Sequence, residues 1–119
     1  GSFTELDKNT INLIEKIAIE KNISEVHFEC HYLFRKNISE MRERFQKNNI
    51  NLKIKCGVET FDSTYREEIL SKGMKDATPK DIAEYFDEVC LLFGLKNQSE
   101  ESMRNDISQN NDKRFRPAL

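Results

Sequence analysis

Few side chains in this sequence combine the right type with a placement suited to chemistry. Glu59 stands where the alternating stretch LKIKCGVE, residues 52–59, gives way to the polar turn Phe61-Asp62-Ser63. A carboxylate there is either a cap for the next helix or a ligand contact, because α/β folds gather ligands at the carboxyl ends of their strands. His27, Glu29 and His31 share one face of a second alternating stretch, and two imidazoles with a carboxylate are a metal-binding set in kind. Residues two apart on a strand stand about 6–7 Å from each other, so one ion would need a bend or outside ligands. A solvated sheet face or a polar barrel interior accounts for them better, and no metal ligand is expected. Cys30, Cys56 and Cys90 are odd in number and show no CxxC or Cys/His spacing. They predict no disulfide framework and read as core residues of apolar strands. No nucleophile is paired with a base and no glycine-rich phosphate loop is present, so no catalytic residue is named.

The elements that must hold these groups follow from apolar periodicity. Ile11, Ile14, Ile17 and Ala18 make one face of a helix over residues 7–21, with Asp7 or Asn9 as cap and Asn22 as a left-handed stop. Residues 25–32 predict a strand with Val26, Phe28, Cys30 and Tyr32 on one side. Ile38, Met41 and Phe45 mark a short helix after Asn37, and its charged residues Glu40, Arg42, Glu43 and Arg44 read as a solvated face. The strand at 52–60 comes next. Ser63 opens a helix ending at Lys72-Gly73, and Thr78-Pro79 starts another with Thr as cap and Pro in the first turn. VCLLF, residues 89–93, shows no alternation and reads as a strand buried on both faces. Ser99 begins a weaker helix through Met103 and Ile107, after which the pattern fails. The order α-β-α-β-α-α-β-α predicts an α/β fold with about three parallel strands alternating with helices. One domain is expected over residues 3–107, with a disordered polar tail over 108–119.

Composition sets the outer limits. Hydrophobic residues make up 37% and charged residues 34% of the 119 positions, with a net charge of −2. Acidic and basic residues are interleaved, so no field for a nucleic acid is expected. No apolar run approaches the length of a membrane span and no signal peptide is seen, so a reducing cytoplasm is the expected setting.

Taken together, KCGVETFD, YREEILSKGM and VCLLFGLKNQSEESMRNDI, preceded by the strand HFECHY, resemble a run in the radical S-adenosylmethionine (radical SAM) superfamily. The likeness covers roughly residues 5–107, and its specificity comes from the order and spacing of the motifs. It implies an internal segment of a partial (β/α)6 barrel that, in the family, holds a [4Fe-4S] cluster and S-adenosylmethionine. Electron transfer from the cluster would cleave the sulfonium to a 5′-deoxyadenosyl radical, which takes hydrogen from a substrate. By the same resemblance Glu59 would contact the S-adenosylmethionine ribose or nearby polar groups. Arg66 or Lys72 would bind the methionine carboxylate, and the backbone of Phe93, Gly94 and Leu95 would flank the adenine.

The departures from the family are as informative. The CxxxCxxC cluster loop and the glycine-rich turn for the methionine amino group are absent, and Lys96-Asn97 replaces the small residue and glycine of the adenine-strand turn. The expectation is therefore a fragment or truncated relative that keeps part of the S-adenosylmethionine rim without the cluster site. Alone it is expected to be inactive and to bind neither cofactor. The alternative is a non-catalytic α/β protein-interaction module. A three-stranded parallel slice would leave unpaired outer strands, so self-association through sheet edges is also expected.

Overall fold

The structure, a computed structural model, describes residues 1–111. Asp7 accepts the Thr10 amide at 2.7 Å and so caps α1, Lys8–Glu20. Asn22, at φ 54°, ends that turn in the left-handed conformation that asparagine tolerates better than most residues. The chain continues through β1 (Glu25–Glu29), α2 (Ile38–Gln46), β2 (Asn51–Glu59), α3 (Ser63–Glu68), α4 (Pro79–Tyr85), β3 (Glu88–Leu91) and α5 (Glu100–Asn111). Asp62 caps α3 through the Tyr65 amide, so the helix opens at Ser63 as expected but ends at Glu68, short of the expected Lys72-Gly73, and Thr78 and Asp81 form a reciprocal capping box on α4.

All three strands are parallel, in the order β1-β2-β3, with Val26 opposite Leu52 and Cys56 opposite Val89. This is the expected partial β/α barrel-like unit. Alternate residues of the central strand, Leu52, Ile54, Cys56 and Val58, are fully buried. They share one core with Ala18 of α1, Ile38 and Phe45 of α2, and Ile82 of α4. The opposite face, with Lys53, Lys55, Gly57 and Glu59, is only partly covered.

Five expectations need correction. β1 stops at Glu29, because the His31 ring accepts the Leu33 amide at 3.1 Å and starts a 3-10 segment over Tyr32–Asn37. Tyr32 thereby leaves the strand and stacks on Phe86 with ring centroids 6.3 Å apart. β3 is not buried on both faces. It is an edge strand, Cys90 is exposed, and so are Leu92 and Phe93. Only Cys30 and Cys56 belong to the core, where burial pushes both thiols up, Cys56 to about 12. The face of α2 is not simply solvated. Arg42 donates to the Leu52 and Tyr85 carbonyls and to Asp87, which also takes the Ile54 amide, while Arg44 donates to Glu15 and Asn12. Finally, α5 runs to Asn111, beyond the expected end of the domain at 107, since adding polar residues to an existing helix avoids the cost of nucleation. The rest of the expected tail, residues 112–119, lies outside the described residues.

Candidate functional site

At the carboxyl end of β2 the backbone departs from regular geometry. The β2–β3 register shifts between Gly57 and Glu59, and Glu59 itself sits at φ 72°. A non-glycine residue there carries roughly 1–2 kcal/mol of steric cost, so its surroundings must hold it. They do so from several directions. The Glu59 carbonyl accepts the Leu92 amide at 2.8 Å. The next carbonyl, of Thr60, accepts from Arg66 Nη1 at 3.3 Å, and the Phe61 amide donates to Asp106 Oδ1 at 2.7 Å. The Asp62 amide closes back onto Thr60 Oγ1 at 3.1 Å.

The Glu59 side chain faces Lys72, with Oε1 3.5 Å from Nζ. Each side chain is about one-fifth exposed (21% and 22%), so the pair is neither in the core nor free in solvent. A Cβ added at Gly57 would lie 3.4 Å from Glu59 Oε1 and 4.0 Å from Lys72 Nζ, so glycine keeps that flank of the pair open. The pair lines a cleft of ≈ 430 Å³, whose other walls include Glu29 at the end of β1 and His31, Leu33 and Phe34 beyond it. That volume suits a small ligand. The His31 and Phe34 rings meet edge to face, 6.4 Å apart.

The remaining sequence-derived candidates separate. Arg66 is fully buried, and its guanidinium is committed to the Thr60, Lys75 and Ala77 carbonyls and to Glu67. It does not reach the rim, so of the two cations only Lys72 faces the cleft. Phe93, Gly94 and Leu95 do not line the cleft either. They lie beyond β3, in a loop tied down by Gln98, which donates to the Leu92 carbonyl and accepts the Leu95 amide. The Tyr65 hydroxyl donates to the Lys96 carbonyl of the same loop. Asn97 there adopts φ 63°, the backbone that the family's glycine would supply most easily.

Sequence reasoning missed Asp106. It falls on the weaker helix predicted from Ser99, and nothing in its spacing announces a long-range contact to Phe61. The histidine set does not assemble. His27 pairs with Glu25 and Glu88, Glu29 with Lys55, and the His31 ring with the Leu33 amide. Among the described residues no group of three or more His, Cys, Asp or Glu could hold a metal ion, so these residues do not fit an iron–sulfur cluster. Among them, too, no helix is long and apolar enough to cross a membrane.

No family model and no curated protein matches this chain. A solved structure does: queuine lyase from Clostridium spiroforme bound to SAM and queuine, 40% identical, with a TM-score of 0.85. The match covers 91% of this chain and 46% of that one, so the chain spans about half the length of this relative. Over nearly its whole described length, this chain is a relative of the radical SAM enzymes.

Proposed function

We propose that this chain supplies part of the S-adenosylmethionine rim of a cytoplasmic radical SAM enzyme, with Glu59 and Lys72 as the contacts that matter most. The observation that carries this reading is the preformed Glu59–Lys72 pair at the end of the central strand. It offers an acceptor for ligand hydroxyl or ammonium groups and a cation for a carboxylate. The chain does not provide the cluster ligands, and no radical step is assigned to its residues. S-adenosylmethionine supplies the radical chemistry in the complete enzyme. The half-exposed Phe34 ring beside His31 adds a flat apolar wall to the same cleft. For the complete enzyme we accordingly propose a heterocyclic substrate of the queuine class.

From sequence alone no binding by this chain is expected. The preformed pair favours weak binding instead. Titration with S-adenosylmethionine followed by amide chemical shifts is expected to give a dissociation constant in the millimolar range or below. Glu59→Gln and Lys72→Ala are expected to raise it about tenfold, the loss of one charge-assisted contact, while the distant Glu25→Gln leaves it unchanged. Equal affinity in all four proteins would contradict the assignment.

The interaction-module reading rests on a different observation. β1 and β3 are both edges, and Leu92 and Phe93 beside β3 are exposed. It predicts concentration-dependent dimers in light scattering that a proline at Cys90 abolishes. A monomer at every concentration would remove it.

A further inference from the structure

Asp106 is an unusual residue for a weakly amphipathic helix. It is fully buried, and its Oδ1 takes the Phe61 amide at 2.7 Å across a sequence distance of 45 residues. Among the described residues its Oδ2 has no hydrogen-bond partner, and neither has Ser102 Oγ one turn earlier. Buried polar groups are costly, so a carboxyl group in this position needs a compensating role. The contact falls two residues after Glu59, on the peptide that leads out of its left-handed conformation. Arg66 grips the intervening Thr60 carbonyl from the other side.

We propose that Asp106 is a positioning residue for Glu59: by fixing the Phe61 amide from α5, it holds the left-handed turn that presents the Glu59 carboxylate to Lys72. Docking of α5 and the shape of the cleft are then a single event. The role rests on the reading of Glu59 as a ligand contact, but the backbone coupling can be measured without any ligand. Two charged groups face Asp106, Asp62 at the start of α3 and Arg66 within it. Burial is the main influence on Asp106 and pushes its carboxyl up, with Asp62 adding to the rise. The Phe61 amide, the Thr60 hydroxyl and Arg66 oppose it. An acid raised in the folded state contributes stability at low pH and loses it as the pH climbs through the folded value.

The test follows the Phe61 and Glu59 amides by NMR in the 119-residue chain. In the wild type, both amides should shift with pH alongside the Asp106 carboxyl carbon. In Asp106→Asn, which keeps an acceptor oxygen and cannot ionise, that shared titration should vanish while both resonances stay near their low-pH positions. In Asp106→Leu, both resonances should move and S-adenosylmethionine affinity should fall about tenfold. A Glu59 amide that ignores the Asp106 titration, or that is unmoved in Asp106→Leu, would overturn the proposal. If Asp106→Leu does not fold, the wild-type titration decides alone. If no protein binds S-adenosylmethionine, the functional reading of the cleft fails, while the amide titration still decides the positioning role.

Discussion

Replacing Arg66 with methionine is expected to lower folding stability by about 3–5 kcal/mol, measured by urea unfolding. The side chain has no exposure, and its guanidinium donates to three carbonyls, of Thr60, Lys75 and Ala77. Methionine fills much of the volume but leaves the Thr60 and Ala77 carbonyls buried and unpaired, each at roughly 1–3 kcal/mol before relaxation, and the partly buried Lys75 carbonyl without its donor. Glu67 would also lose its partner at 3.1 Å, though it keeps the Met74 amide. Arg66→Lys should recover only part of the loss, because an ammonium cannot reproduce the planar fork that reaches acceptors on both sides. Since a domain is typically stable by only about 5–15 kcal/mol, the methionine variant should be close to unfolding at 37 °C. A loss below about 1 kcal/mol would mean that Arg66 does not hold the 60–77 segment together.

Phe45→Ala is expected to have an effect of similar size, about 3–5 kcal/mol, by creating a cavity between α2 and the sheet. Phe45 is wholly buried, meets Phe28 of β1 edge to face with centroids 5.8 Å apart, and belongs to the core that lies on β2. Its carbonyl also takes the Ile50 amide at 3.1 Å, which turns the chain into β2. Phe45→Leu keeps most of the buried volume and should cost less than half as much. Thermal unfolding of the two variants side by side separates the cavity from the loss of the aromatic contact. Equal losses would assign the effect to ring geometry, which contributes only about 0.5–1.5 kcal/mol beyond buried area.

Much of the architecture could be read from periodicity. Leu52, Ile54, Cys56 and Val58 alternate cleanly because one face of β2 meets helices and the other does not. The Thr78-Pro79 start is legible because a cap and a proline in the first turn satisfy local demands that tertiary packing does not override. β3 misled because an unbroken apolar run is the mark of a doubly buried strand, whereas here Cys90, Leu92 and Phe93 belong to an open edge and the loop after it. Arg42 and Arg44 misled for a related reason. Charge on a helix looks the same in sequence whether it meets solvent or reaches a strand carbonyl, as Arg42 does at Leu52.

The candidate site was visible only in part. Glu59 stood out because strand pattern and turn chemistry meet there, yet its left-handed backbone carries no signature, since glycine would be the usual marker. The choice between Arg66 and Lys72 could not be made from spacing. Both fall in the segment after the strand, and only burial distinguishes them, with Arg66 inside and Lys72 at the cleft. Asp106 was out of reach altogether, because its partner is a backbone amide far away in the chain.

The most direct test of the Glu59–Lys72 rim is where S-adenosylmethionine perturbs the amide spectrum of the 119-residue chain. Saturable shifts concentrated at Gly57, Glu59, Lys72 and His31, and reduced in Glu59→Gln, are the expected result. Saturable shifts that leave those residues untouched, or a spectrum unchanged at millimolar ligand, would contradict it.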